Sequence, residues 1–137
     1  MADKKVLLIN VLPKEMFDDC HIVGSINVPL DALEAFAQKL DKNQKIVVYC
    51  SSAACAASVK AWRLLDSKGF QNLWAYEGGM AEWHNAGFPS QGACKAPYLE
   101  GKIEKPAEAA KDVKLILADE LRFLLQEHDI IPKENGG

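Results

Sequence analysis

Two cysteines near the middle of the chain have the type and spacing for sulfur chemistry. Cys50 ends the apolar run "KIVVYC" (45–50), and Cys55 follows it after the small residues "SSAA". An apolar run without alternation is typical of a strand covered on both faces of a parallel sheet, and ligands bind beyond the carboxyl ends of such strands. A loop of small residues lets backbone N–H groups point at the Cys50 sulfur. Together with the amino end of the next helix, they would stabilise a thiolate, the reactive form of cysteine.

Each of the two cysteines also has a simpler interpretation. Cys50 could be a small hydrophobic residue that fills the core at the end of its strand. Cys55 could be a resolving thiol that forms a disulfide with Cys50, or only a small residue in the first turn of the helix. The geometry decides between these two roles for Cys55, because a disulfide needs Cα atoms within about 7 Å of each other.

The composition narrows the class of protein. The 137 residues suffice for one domain, and 49% hydrophobic with 26% charged residues is ordinary for a soluble globular protein. A net charge of −3 without a basic stripe argues against nucleic-acid binding, and the apolar runs are too short for a membrane helix. We interpret the N-terminal "MADKKVLLIN" as a first strand rather than a signal peptide, and expect a cytoplasmic protein without membrane contact.

The cysteine and histidine spacing predicts neither a metal site nor a bound cofactor. The sequence contains no C-x-x-C pair, and its three histidines are scattered. We therefore expect four free thiols in a reducing compartment. Cys20 is expected at the surface or in a loop, Cys94 in an exposed loop, and His84 in solvent.

Strand and helix patterns alternate along the first hundred residues. Strands are predicted at 5–12, 25–30, 45–50 and 72–76, and helices at 31–40, at about 53–67 and through Trp83 to Gly87. This order predicts an α/β fold, an open and mostly parallel sheet of about five strands flanked by helices. Residues 1–100 are assigned to this domain and residues 101–137 to a C-terminal helical extension.

The extension carries one apolar stripe at helical spacing, formed by Val113, Ile116, Leu117, Leu121 and Leu124. We expect this stripe to cover the chain's own domain. The alternative is a homodimer or protein-partner surface over residues 113–125.

Three ordered motifs resemble the rhodanese homology domain, the single-domain sulfurtransferase type, over about residues 5–90. They are "CHIVGSINVP" (20–29), "VVYC" with its loop (47–55) and "LWAYEGGMAEWHNAGFP" (73–89). The resemblance implies that Cys50 takes a sulfane sulfur from a small donor, thiosulfate or a persulfide. Cys50 would hold the sulfur as a persulfide and pass it to a thiol acceptor. The substrate would bind to the loop amides, contributed by Ser51, Ser52, Ala53, Ala54 and Cys55.

The sequence departs from the family where positive charge is expected. The arginine that usually closes the family's active loop is Cys55 here, and the family's D-V-R element reads Asn10-Val11-Leu12. An arginine fork suits an oxyanion such as thiosulfate, so its loss weakens the case for that donor. Two alternatives therefore stay open, a non-catalytic binding module on the same scaffold and a thiol redox sensor using Cys50 and Cys55. A cysteine phosphatase is excluded because Ala56 stands where its arginine would be.

Overall fold

A parallel sheet forms the centre of the molecule in a computed structural model that describes residues 6–51, 57–100, 112–128 and 130–131. Its strands are β1 (Leu7–Asn10), β3 (Ile26–Asn27), β4 (Ile46–Tyr49) and β5 (Leu73–Tyr76), in the order β3-β1-β4-β5, and every pairing is parallel. The predicted α/β class is confirmed. Within the described residues the sheet has four strands, where about five were predicted.

The described helices connect and flank these strands. They are α1 (Lys14–Asp19), α2 (Leu33–Ala37), α3 (Ala57–Ser67), α4 (Gly79–Asn85) and α5 (Ala118–Glu127), with 3₁₀ turns at Leu30–Ala32 and Pro97–Glu100. The helix α1 was not predicted. Neither was a small antiparallel pair, β2 (His21–Ile22) with β6 (Ser90–Gln91), in which His21 lies opposite Gln91. Among the described helices none has the length and apolarity to cross a membrane.

Two hydrophobic cores lie on opposite faces of the sheet because strand side chains alternate. Val48 and Cys50 point into the first core, and α2 and α3 cover that face. Tyr49 points into the second core, where α4 and α5 pack. On the second face the Tyr49 hydroxyl accepts a hydrogen bond from the Ile22 N–H at 3.0 Å, which ties β2 to the central strand.

The C-terminal stripe is helical only in part, which corrects the sequence-based prediction. Val113 and Ile116 are buried, but they lie outside the helix, on either side of Leu115, which forms a parallel bridge with Ala75 of the edge strand β5. Ala75 donates its N–H to the Lys114 carbonyl at 2.9 Å and accepts one from Ile116 at 3.0 Å. Hydrogen bonds to these residues satisfy backbone groups of the edge strand. They stabilise a non-helical backbone here, although the apolar residues recur at helical spacing.

The helix α5 itself begins at Ala118, where the Glu120 carboxylate accepts the Leu117 N–H at 2.9 Å. Leu117 is exposed, contrary to the prediction that it belongs to the buried stripe. Leu121 and Leu125 are fully buried in the second core, and Leu124 is half-buried against it. The helix therefore packs on the chain's own sheet.

Candidate active site

Cys50 lies at the carboxyl end of the central strand β4 and is fully buried. The first turn of α4 holds its backbone in place. Met80 donates its N–H to the Cys50 carbonyl at 2.9 Å, and Ala81 donates to the Ser51 carbonyl at 2.8 Å. Because these amides bind carbonyls, α4 orients the start of the loop and does not itself contact the sulfur through them.

The loop residues predicted to bind the substrate are described only at the first position. Ser51 is half-buried directly after Cys50. Ser52, Ala53, Ala54 and Cys55 lie outside the described residues, so the predicted amide cradle and the predicted role of Cys55 as a resolving thiol stay predictions.

Glu77 is the acidic residue that follows β5 at the edge where Cys50 follows β4. Tyr49 and Tyr76 are register partners at the ends of these two strands, so Cys50 and Glu77 each come directly after the last paired residue. Glu77 lies in the turn between β5 and α4. One carboxylate oxygen of Glu77 is buried without a hydrogen-bond partner, and burial raises the pKa of Glu77.

Two further polar groups near this edge also lack partners. The buried Ser58 hydroxyl lies in the first part of α3, the helix that follows the Cys50 loop, and has no hydrogen-bond partner. The Tyr98 hydroxyl is likewise buried without a partner. Burial, followed by the charges of Asp19, Tyr49 and Cys50, raises the pKa of Tyr98 to about 12. Unsatisfied polar groups are uncommon in protein cores, and here they accompany a buried sulfur.

The sequence patterns did not identify Glu77, Ser58 or Tyr98 as candidate site residues. Glu77 had a usable signal, because it directly follows the strand that neighbours β4, and parallel strands end at one edge of the sheet. No sequence pattern pointed to Ser58 or Tyr98, because their burial depends on how α3 and the Pro97–Glu100 turn pack.

Asn10, Val11 and Leu12, which stand where the family has D-V-R, make neutral contacts in the structure. Asn10 is fully buried at the end of β1, and its side-chain oxygen accepts the Leu12 N–H at 2.9 Å. The Asn27 amide donates to the Leu12 carbonyl at 2.8 Å. Val11 and Leu12 are buried apolar residues. These residues therefore contribute no cation that could attract an anionic donor.

An open groove of about 640 Å³ lies beyond the carboxyl ends of β1 and β3. Its only lysine, Lys14, is paired with Asp18 at 2.7 Å, and two carboxylates share the lining. The groove therefore offers no concentrated positive charge. It is lined by Val11, Pro13, Lys14, Glu15, Pro29, Leu30 and Asp31.

Cys20 and Cys94 form a disulfide, so the expectation of four free thiols is wrong. Cys20 lies in the bend between α1 and β2 but is fully buried rather than at the surface, and Cys94 is half-buried rather than exposed. The pairing of β2 with β6 brings the two together across 74 residues, because Cys20 precedes β2 and Cys94 follows β6. His84 is also half-buried, with a ring nitrogen within 4.8 Å of both sulfurs, so it is not the solvated residue that was expected.

His21 has a structural role at the start of β2. Its Nδ1 donates to the Phe17 carbonyl at 2.8 Å, and its ring stacks on Phe17 with centroids 3.9 Å apart. Its Nε2 lies 3.2 Å from the Gln91 side-chain oxygen. These contacts fix the start of β2 against β6.

The chain is similar to a transcriptional regulator, to a thiosulfate sulfurtransferase and to a solved rhodanese structure. The HTH-type transcriptional regulator Rv0324 of Mycobacterium tuberculosis is 34% identical over 85 residues, which is 62% of this chain but only 37% of the regulator. The thiosulfate sulfurtransferase GlpE of Shewanella oneidensis is 28% identical over 83 residues, 61% of this chain and 80% of that enzyme. A rhodanese from E. coli solved with anions superposes with a TM-score of 0.53 at 27% identity, covering 64% of this chain and 98% of that one.

The match to the family itself extends over residues 1–86, which include both sheet edges and Cys50. The chain belongs to the rhodanese-like domain family.

Proposed function

We propose that this protein is a sulfurtransferase that carries sulfane sulfur as a persulfide on Cys50. The observation that supports this most directly is a buried cysteine at the carboxyl end of the central parallel strand, with its backbone held by α4. The similarity to a thiosulfate sulfurtransferase over most of that enzyme's length points to the same chemistry.

The reaction divides into two exchanges at sulfur. In the first, the Cys50 thiolate attacks the outer sulfur of a donor. A new S–S bond forms on Cys50 as the donor's S–S bond breaks, and its electron pair leaves with sulfite from thiosulfate or with a thiolate from a persulfide. In the second, an acceptor thiolate attacks the outer sulfur of the Cys50 persulfide. The acceptor gains the sulfur, and Cys50 leaves as the thiolate.

Glu77 is the group that takes the proton of the Cys50 thiol in this proposal. Both residues directly follow strands that are paired in register, so they come at one edge of the sheet, and burial raises the pKa of Glu77. The pair then carries a single negative charge, on the carboxylate before proton transfer and on sulfur after it. This sharing avoids two negative charges side by side in a buried site.

The donor in this proposal is a persulfide in preference to thiosulfate. Asn10, Val11 and Leu12 supply no cation, and Cys55 replaces the family's loop arginine. A dianionic donor would depend on backbone amides alone, whereas a persulfide brings less charge into the site.

Intact-mass spectrometry tests the proposal. The reduced protein is exposed separately to thiosulfate and to glutathione persulfide, beside the variants Cys50→Ser and Cys55→Ser. We expect one added sulfur atom with the persulfide, less loading with thiosulfate, and none in Cys50→Ser. Loading that persists longer in Cys55→Ser would identify Cys55 as the resolving thiol of the sensor alternative.

A variant lacking Cys20 and Cys94, made by Cys20→Ser with Cys94→Ser, is the matched control because it retains Cys50 and Cys55. It should load as the wild type does. If the wild type gains no sulfur from either donor, the sulfurtransferase proposal is wrong.

A non-catalytic binding module is the second candidate. The observation in its favour is the similarity to Rv0324, named as a transcriptional regulator, in which the matched region is a minor part. The same mass experiment separates the two, since a binding module would gain no sulfur.

A further inference from the structure

The Cys20–Cys94 disulfide belongs to a three-residue cluster remote in sequence from the Cys50 loop. The two sulfurs and a ring nitrogen of His84 all lie within 4.8 Å of one another. Two thiolates and one imidazole are a ligand set that binds zinc and similar thiophilic divalent ions. The spacing of these residues in the sequence gave no sign of such a site.

The backbone around the cysteines is held by contacts that do not depend on the disulfide. The Asp19 carbonyl accepts the Cys94 N–H at 2.7 Å, and the Asp19 carboxylate accepts N–H groups from Lys95 at 3.1 Å and Ala96 at 3.0 Å. Cys20 donates its own N–H to the Met16 carbonyl at 3.1 Å. These bonds keep the two Cα atoms, 4.6 Å apart, close together when the disulfide is open.

The third ligand is fixed in the same way. His84 lies in the last turn of α4, between two anchored residues. Trp83 donates its indole N–H to the Pro89 carbonyl at 2.8 Å, and the Asn85 amide donates to the Leu99 carbonyl at 2.7 Å. The helix therefore presents His84 to the sulfurs from a rigid element.

The backbone at Cys94 is also unusual. Its φ is 52°, the left-handed region, and among the described residues no other non-glycine residue has a positive φ. Such a conformation is unfavourable for cysteine and persists where surrounding contacts impose it, which happens often at functional sites. Here it turns the Cys94 sulfur towards Cys20 and His84.

We propose that Cys20, Cys94 and His84 form a redox-gated site for a thiophilic divalent metal ion. With the disulfide closed, the site cannot take the ion, because both sulfurs are bonded to each other. A dithiol reductant delivers two electrons and two protons, opens the Cys20–Cys94 bond and becomes a disulfide itself. The ion then displaces the two thiol protons and binds two thiolates and the neutral imidazole, which leaves a coordination position for water.

Cobalt(II) is the probe that reports this site directly, because thiolate ligands give it near-ultraviolet charge-transfer absorption. The full chain carrying Cys50→Ser and Cys55→Ser is used, so that Cys20 and Cys94 are its only cysteines. It is reduced by a non-thiol phosphine without oxygen, freed of reductant, and titrated with cobalt. The unreduced protein is titrated in parallel. We expect one cobalt ion per reduced chain with thiolate absorption, and none on the oxidised chain.

Two further substitutions on this background identify the ligands. His84→Gln keeps the disulfide and should weaken cobalt binding by about tenfold or more, since even outer contacts to metal ligands are worth 10- to 100-fold. Cys20→Ser should remove the thiolate absorption, with circular dichroism used to show that each reduced variant is folded. Zinc should displace the cobalt. If reduction adds no cobalt binding, or if binding survives Cys20→Ser, the site does not exist.

Discussion

Cys50 and the Cys20–Cys94 pair lie in different surroundings. Cys50 and Cys20 are fully buried, whereas Cys94 is half-buried. Cys50 ends a central strand, and an acidic residue, Glu77, follows the neighbouring strand at the same edge. Cys20 and Cys94 flank a two-residue antiparallel pair at a different edge, where Asp19 binds three successive backbone amides. The proposed sulfur chemistry rests on the first environment, and the second brings two sulfurs into bonding distance of each other.

We expect a substitution at Cys50 to change sulfur loading more than stability, and substitutions at Cys20 and Cys94 to change stability more than sulfur loading. Cys50→Ser should abolish sulfur loading completely, because no other described cysteine sits at the carboxyl end of a strand. Its free energy of unfolding should fall by about 1 to 3 kcal/mol, because serine puts a hydroxyl into a fully buried apolar position. Intact mass and urea unfolding measure the two quantities. Sulfur on Cys20 or Cys94 in the reduced Cys50→Ser variant would show that sulfur loading is not confined to Cys50.

Removing the disulfide should have the opposite effect. Cys20→Ser with Cys94→Ser opens a cross-link between residues 74 apart, and loop-closure entropy alone gives about 4 kcal/mol of lost stability. Sulfur loading on Cys50 should be unchanged under conditions where the variant is folded. Urea unfolding of the oxidised wild type, the reduced wild type and the double variant measures this. Equal stability of all three would contradict it.

The same contrast shows what the sequence could predict. The strand before Cys50 was predictable because a strand buried on both faces leaves an unbroken apolar run, "KIVVYC" (45–50). The Cys20–Cys94 disulfide was not, because β2 and β6 have two residues each and no local pattern marks them. Their pairing depends on tertiary contacts such as the Ile22 N–H with the Tyr49 hydroxyl. Leu117 was misplaced for a similar reason, since sheet-edge pairing, not helix periodicity, sets the backbone before α5.

Glu77 should control how fast Cys50 takes up sulfur. Glu77→Gln keeps the shape of the side chain but cannot accept the Cys50 proton. We expect the rate of sulfur loading at neutral pH to fall about a hundredfold, within the usual range for a general base. Stopped samples analysed by intact mass give the rate. Cys50 should still load at long times, and its loading should recover at a pH high enough to ionise the thiol directly.

Stability against pH gives an independent check on Glu77. Burial raises its pKa above the ordinary 4.5, so the folded state holds this proton more tightly than the unfolded chain does. The contribution of Glu77 to stability is therefore fully present below pH 4.5 and is lost as pH rises through the raised folded pKa. Wild type should lose stability relative to Glu77→Gln over that interval. A constant difference between the two from pH 4 to pH 8 would show that Glu77 is not in a buried site.

The smallest predicted effect tests the scaffold of the Cys20–Cys94 region without touching either cysteine. Gly92 has a φ of +110°, and a Cβ atom there would overlap the Asp19 carbonyl oxygen that binds the Cys94 N–H. Gly87 is the matched control, with a φ of +77° and open space around its Cβ position. Gly87→Ala should cost about 1 kcal/mol from backbone strain alone. Gly92→Ala should cost about 1 to 2 kcal/mol more, because the Asp19 backbone must also move.

Both glycine variants should load sulfur on Cys50 as the wild type does, because neither glycine lies at the carboxyl edge of the parallel sheet. Urea unfolding measures the stability difference, and reaction with a thiol reagent under mild reduction measures how readily the disulfide opens. Gly92→Ala should open its disulfide at a lower reductant concentration than Gly87→Ala, since its Asp19 contacts no longer hold Cys94 beside Cys20. If the two variants open alike, the Asp19 contacts do not position Cys94, and the bond itself is what keeps the two cysteines together.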